Sequence, residues 1–209
     1  MIYKIKVFKM SQKEFWNSKF KGEEFFYGLK PNEFLLSNID KLKKNGEILC
    51  LGEGEGRNAL FFAKKGFSIT AIDASDIGLL KLQKRANYEN LQIKTICLDL
   101  NDWQSNEQYD AIMISYLHMH KNEREKLFKK IEDSLSKDGY LIAEFFSTKQ
   151  LMYNSGGPKD IDFLYNIEDF RECFNSCKKE LKEEIVVLDE GVGHQGEASV
   201  IRVLIKKEN

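Results

Sequence analysis

The 209-residue chain balances 32 lysines and arginines against 33 aspartates and glutamates, a net charge of −1, so no global field draws it to nucleic acid or to an anionic membrane surface. With 42% hydrophobic and 31% charged residues it has the composition of an ordinary globular domain, long enough for one full core. No run reaches the roughly 20 apolar residues of a membrane helix, and lysines break every apolar run of Met1–Lys9, which excludes a secretory signal on this reading.

A cytoplasmic location follows, with Cys50, Cys97, Cys173 and Cys177 reduced. Cys50 and Cys97 lie in apolar runs and read as core residues; Cys173 and Cys177 have no matching histidine or cysteine pair, so no metal site is expected. The lysines of 41–44 and 121–130 alternate with apolar residues or glutamates, as on solvated helix faces. Without a linker of biased composition, residues 1–209 are read as one domain: an N-terminal helical segment, 1–31, and a core, 32–209.

In chain order, residues 11–20 predict a short helix bearing Phe15, Trp16 and Phe20, with Phe25, Phe26 and Tyr27 after it. Asn32 caps a helix expected to reach about Lys44 before Asn45-Gly46. Strands and helices then alternate: strand 48–51, helix 58–65, strand 67–72, a helix from the Ser75 cap to about Ala86, strand 93–98, strand 111–115, helix 122–135, a turn at 137–139 and strand 140–146. This βα rhythm with continuous apolar strands predicts a parallel, doubly wound α/β sheet. A loop over 147–165, a helix over 167–174 and an antiparallel edge hairpin of strands 184–188 and 199–205 complete the reading.

Gly52, Gly54 and Gly56 stand at alternate positions between the first strand and its helix. Glycine there lets the backbone approach a ligand, and the helix N-terminus behind it favours anionic groups. Ligands of open α/β sheets bind beyond the carboxyl ends of the strands. The second strand ends at Asp73, 17 residues after Gly56, suited to ribose hydroxyls; the third ends at Asp99-Leu100, suited to an adenine amine and ring. A nicotinamide dinucleotide needs Gly-x-Gly-x-x-Gly, whereas this turn is Gly-x-Gly-x-Gly with Glu53 and Glu55 between, a poor neighbour for a pyrophosphate. The two carboxylates suit an ammonium and a sulfonium, which favours S-adenosylmethionine.

The stretches Tyr27-Gly28-x-x-Pro31-Asn32-x-Phe34-Leu35, Gly52-Glu53-Gly54-Glu55-Gly56-Arg57-Asn58-Ala59, Ala71-Ile72-Asp73-x-Ser75, Asp99-Leu100 and Gly193-His194-Gln195-Gly196 resemble the class I S-adenosylmethionine-dependent methyltransferases, in particular the tellurite-resistance and thiopurine group. The resemblance covers about residues 12–206. It departs at Cys50, where many members carry an acid; Glu53 and backbone carbonyls are then expected to hold the amino end of the cofactor. The resemblance implies a Rossmann-like seven-stranded sheet and methyl transfer to a small molecule, such as a thiol or a chalcogen oxyanion. It implies a cofactor site of Trp16, Tyr27, Gly52, Glu53, Gly54, Arg57, Asp73, Ala74, Ser75, Asp99, Leu100, Ser115 and Tyr116, with Trp16 and Tyr27 in a lid. His118 and His194 are the candidate catalytic groups, each with a purely structural alternative: a loop cap for His118, a turn for His194. His120 is expected in solvent. Arg57 faces either an anionic partner or Glu55, and Glu144 either the cleft or solvent. No obvious base stands out, so a non-catalytic S-adenosylmethionine-binding protein remains the alternative function. No nucleic-acid or membrane partner is expected, and the oligomeric state is open.

Overall fold

The computed structural model describes residues 10–104 and 107–208; the reading of Met1–Lys9 lies outside them. Seven strands form one sheet: β1 (Glu47–Leu51), β2 (Ser68–Asp73), β3 (Ile93–Cys97), β4 (Tyr109–Ser115), β5 (Leu135–Phe146), β6 (Cys177–Glu190) and β7 (His194–Lys207). Their order is β3-β2-β1-β4-β5-β7-β6. The first five run parallel; β7 lies antiparallel to β5, and β6 antiparallel to β7. The chain winds outward from β1 through β2 to β3, then returns to β4 on the other side of β1, which places the topological switch point between β1 and β4.

Successive side chains of a strand face opposite sides, and each side here finds helices. Leu49 and Leu51 of β1, with Ile112 and Ile114 of β4, pack with Leu127, Phe128 and Ile131 of α5 (Lys121–Ser134). Ile48 and Cys50, with Ala71 and Met113, pack with Ala59 and Phe62 of α3 (Arg57–Lys64) and Leu82 of α4 (Asp76–Tyr88). Cys97 is exposed, against the expectation of a core thiol. Burial on both faces is why the strands read as unbroken apolar runs.

Helix starts follow their caps. Ser11 and Glu14 form a reciprocal capping box on α1 (Gln12–Phe20), and Ser75 accepts from Gly78 N–H at α4. Asn32 accepts from Phe34 and Leu35 N–H to open α2 (Glu33–Ser37). That helix stops seven residues short of Lys44, because the Asn38 side chain takes the Phe34 carbonyl and a 3-10 turn, Ile39–Lys41, follows. The segment 167–174 yields only α6 (Glu168–Arg171), with Phe174 left-handed at φ 56°. Residues 147–165 contain two 3-10 turns, Thr148–Met152 and Ile161–Phe163. Strand β5 begins directly at the end of α5, and the turn expected at 137–139 is an irregularity in its pairing with β4. The terminal hairpin is far longer than 184–188 and 199–205, pairing Cys177 with Lys207 at one end and Glu190 with His194 at the other.

Candidate functional site

A narrow cleft opens at the switch point, over the carboxyl ends of β1, β2 and β4. Gly52 and Gly54 form its floor after β1, Asp73 ends β2 with Ala74 next to it, and Asp99 and Leu100 follow β3. Ser115 ends β4 and Tyr116 and His118 follow it, while Trp16 of α1 and Tyr27 line the cleft from the N-terminal segment. Gly54 sits at φ +59°, and a Cβ there would meet the Phe20 ring at 3.0 Å, so the turn and α1 are in contact through a missing side chain.

Asp73 ties the cleft together. Its Oδ2 accepts from Gly54 N–H at 2.8 Å and its Oδ1 from Ser75 N–H at 2.7 Å. Burial raises its carboxyl to about 6 in spite of those two bonds. Each carboxylate oxygen retains a lone pair for a further donor.

At the other end lies a buried ionic network. Arg57 Nη2 donates to Glu190 Oε2 at 2.9 Å, and His194 Nδ1 lies 3.0 Å from the same oxygen. Asn32 Nδ2 bridges Glu190 Oε1 and Glu144 Oε1; the latter also accepts from Tyr116 OH at 2.5 Å, and Arg202 pairs with Glu144 Oε2. Burial opposes the charge of Glu190, but the His194 hydrogen bond and Arg57 outweigh it and hold the carboxyl below its usual range. Burial lowers His194 in spite of Glu190. A neutral imidazole beside a carboxylate must donate from Nδ1, which leaves a basic Nε2 without a partner among the described residues. The rings of Tyr27, Tyr116 and Phe146 surround His194 at 4.5, 4.6 and 5.0 Å between centroids. Among the described residues of the cleft, two buried atoms have no hydrogen-bond partner: Arg57 Nη1 and His118 Nε2. Both residues line the cleft, and burial pushes His118 down to about 3, so it is neutral.

Thirteen of the fifteen residues expected at the site line this cleft; Glu53 and Ser75 do not. Glu53 turns back to accept from Ala59 N–H at 2.7 Å, an N-terminal cap of α3 with its carboxyl raised by burial to about 7. Ser75 is fully buried, capping α4 and bonding Asn17 Oδ1. Glu55 also points away, accepting from Lys81 Nζ and Phe26 N–H. A cationic ligand therefore cannot be inferred from the two glutamates of the turn, whose carboxylates serve the fold. Arg57 pairs with Glu190 instead of Glu55, and Glu144 is buried instead of solvated. His120 is half-buried, capping α5 through Nδ1 and facing Asp162 at 3.4 Å. The sequence reading missed Phe20, Leu117 and Met119 in the wall and Glu190 behind it. Of these, only Glu190 carried a signal, an acid four residues before a glycine-flanked histidine, and it was submerged in a turn-rich segment.

An orphaned guanidinium nitrogen at one end and a two-oxygen carboxylate with an apolar pocket at the other fit an adenosyl group carrying an amino-acid tail. A structure solved in a study of the conversion of a disulfide bond into a thioacetal group during echinomycin biosynthesis superposes with a TM-score of 0.73 at 14% identity, over 95% of this chain and 93% of that one. TehB from Haemophilus influenzae superposes at 0.69 and 18%, over 94% and 67%. The fold is thus that of the Rossmann-like methyltransferases. Residues 10–194 match the family model described as tellurite resistance protein TehB, and the chain belongs to that family. In sequence it is 30% identical over 105 residues to the probable S-adenosyl-L-methionine-dependent methyltransferase TehB of Haemophilus influenzae strain 10810; the match spans 49% of this chain and 37% of that relative.

Proposed function

We propose that this chain is an S-adenosylmethionine-dependent methyltransferase acting on a small soft nucleophile, a thiol or a chalcogen oxyanion. The observation that carries the reading is the order of groups along one cleft: Asp99 and Leu100, then Asp73, then the glycine turn, then the orphaned Arg57 Nη1. Asp99 and Leu100 take the adenine, Asp73 the ribose hydroxyls and Arg57 a carboxylate. S-adenosylmethionine, when bound, supplies a methyl group already activated by its sulfonium.

The chain's own contribution is alignment, exclusion of water and, for a protonated acceptor, a base. Alignment of two bound reactants is worth on the order of 7–11 kcal/mol. Trp16 and Tyr27 cover the cleft against water. His194 Nε2 accepts the proton of a thiol, with Glu190 fixing the tautomer and steadying the imidazolium that forms. Such a held base supports transfer over non-catalytic binding.

Isothermal titration with S-adenosylmethionine and S-adenosylhomocysteine tests the cofactor assignment: binding of both is expected, and no heat with either overturns it. Incubation with a thiol panel, selenite and tellurite, read by a mass gain of one methyl, tests transfer.

A further inference from the structure

Strand β6 is an outer edge of the sheet: it pairs with β7 on one side, and among the described residues no strand flanks the other. Every second residue of such an edge points its N–H and C=O outward, a ladder that a further strand can complete. Edges are commonly guarded by charges, chiefly lysine, which repel a second copy when they share one sign. The run Cys177-Lys178-Lys179-Glu180-Leu181-Lys182-Glu183-Glu184-Ile185 is charged, but with both signs and in a self-complementary order.

Laid antiparallel on itself about Leu181, this run sets Lys178 against Glu184, Lys179 against Glu183 and Glu180 against Lys182, each twice by symmetry. Leu181 meets its own copy at the centre, and Cys177 meets Ile185 at the ends. The backbone permits that register. Outward N–H and C=O groups alternate along the strand, so a two-fold axis must pass through a residue and not between two. The neighbouring permitted registers fail on charge: an axis through Glu180 sets Lys178 against Lys182, and one through Lys182 sets Glu180 against Glu184.

Lys178, Glu180 and Lys182 are exposed on one face of the edge, and the first two have no ion-pair partner among the described residues. Lys182 pairs with Glu184 of its own strand, which Arg202 also holds. On the opposite face Lys179 donates to the carbonyls of Arg171 and Cys173, and Glu183 accepts from Lys149. Recognition therefore falls mainly to the first face, while Ile185, 62% exposed, gains an apolar neighbour.

We infer that this chain forms a two-fold dimer in which β6 pairs antiparallel with β6 of a second copy, in the register centred on Leu181, joining the two sheets into one. Glu190, beside the cleft, lies about 30 Å along the strand from that axis, so both clefts stay clear of the interface. The dimer does not depend on the proposed function.

Sedimentation equilibrium over a dilution series up to ~200 μM should show a monomer–dimer equilibrium that weakens in high salt. Glu180→Lys and Lys182→Glu each make two pairs like-charged and should weaken the dimer about tenfold or more. The double variant restores opposite signs and should return the affinity to within about threefold of wild type, with melting temperatures of all three within about 2 °C of it. Ile185→Cys, oxidised, should give a covalent dimer through native Cys177 of the other copy, lost in Ile185→Cys/Cys177→Ser; on one extended strand these two positions are too far apart to bridge. A monomer at every concentration overturns the inference. So does a dimer indifferent to Glu180→Lys, a double variant no stronger than either single one, or a crosslink that survives loss of Cys177.

Discussion

Asp73 is a side chain that holds the fold and, in the proposed function, the ligand as well, with opposite dependence on pH. Its two oxygens hold the backbone of the glycine turn and of the α4 cap, and its remaining lone pairs face the cleft. Asp73→Asn offers one acceptor in place of two and should weaken S-adenosylhomocysteine by about 1–3 kcal/mol, roughly 5- to 150-fold, in calorimetry. On the proposed ribose assignment the hydroxyls need the ionised form, so wild-type affinity should fall as pH drops through about 6, while the asparagine variant stays flat. Stability runs the other way. The folded carboxyl titrates above its ordinary value of 3.8, so its contribution is fully present below that pH, declines as pH rises to about 6 and is constant above. Without ligand, the wild type should therefore lose stability relative to Asp73→Asn across that window in urea titrations. Glu190 is the second residue with a clear outcome. Removing it leaves the Arg57 guanidinium buried, its side chain only 7% exposed, without its counter-charge. Glu190→Ala should cost about 3–5 kcal/mol, the cost of breaking a buried ion pair, and lower Tm by roughly 6–20 °C at this chain length. A Tm within 2 °C of wild type would mean that water, not Glu190, neutralises Arg57.

Elements were legible in the sequence where local signals coincide with long-range contacts. Helices α2 and α4 start at the caps the sequence announces at Asn32 and Ser75, α1 falls within the helix read over 11–20, and the parallel strands stand out because both faces are covered. Strand β6 was legible only at its apolar end, since an edge strand carries Lys178, Glu180 and Lys182 on its exposed side and so reads as polar coil. The same logic governed the site. Gly54, Asp73, Asp99 and Arg57 sit at strand or helix ends and could be placed by topology, whereas Glu53, Glu55 and Glu190 have roles fixed by partners distant in space or turned back on a helix. The β6–β7 turn holds the N-terminal segment in the same distant manner. A Cβ at Gly193 would lie 2.3 Å from Tyr27 Cε1 and 2.6 Å from Phe26 Cε1, so this element closes on the N-terminal segment only through a glycine. Tyr27 has little room to yield, packed as it is on His194 and Phe20. Gly193→Ala should therefore destabilise the fold by about 1–3 kcal/mol, read as a shift in denaturation midpoint at unchanged slope. A midpoint within error of wild type would show that the Tyr27 ring moves freely.

At the scale of the whole molecule, the covered cleft raises the question of entry. The sheet and its α3, α4 and α5 layers form two large buried clusters, but α1 contributes only Phe20 to the fully buried residues. Its remaining ties are few: Lys13 to Asp76, Asn17 to Ser75 and Asp76, the Phe20 ring against Tyr27, and Trp16 tilted against His118. Exposed ion pairs of this kind contribute about 0–1 kcal/mol each. Elements held by few buried contacts open at free energies well below that of global unfolding. Helix α1 is thus the part of the molecule able to leave the cleft while the sheet stays folded, and a ligand seated beneath Trp16 and Phe20 would stabilise its closed position by the ratio of ligand concentration to Kd. At 100-fold excess over Kd that amounts to about 2.7 kcal/mol, close to 100-fold in opening. Hydrogen exchange should accordingly show α1 amides less protected than those of β1 and β4 in the free protein, and saturating S-adenosylhomocysteine should slow α1 exchange by one to two orders of magnitude while leaving it faster than that of the sheet. Equal protection of α1, β1 and β4 in the free protein would mean that the helix unfolds only with the sheet, and α1 exchange unchanged by ligand would mean that ligands enter by another route.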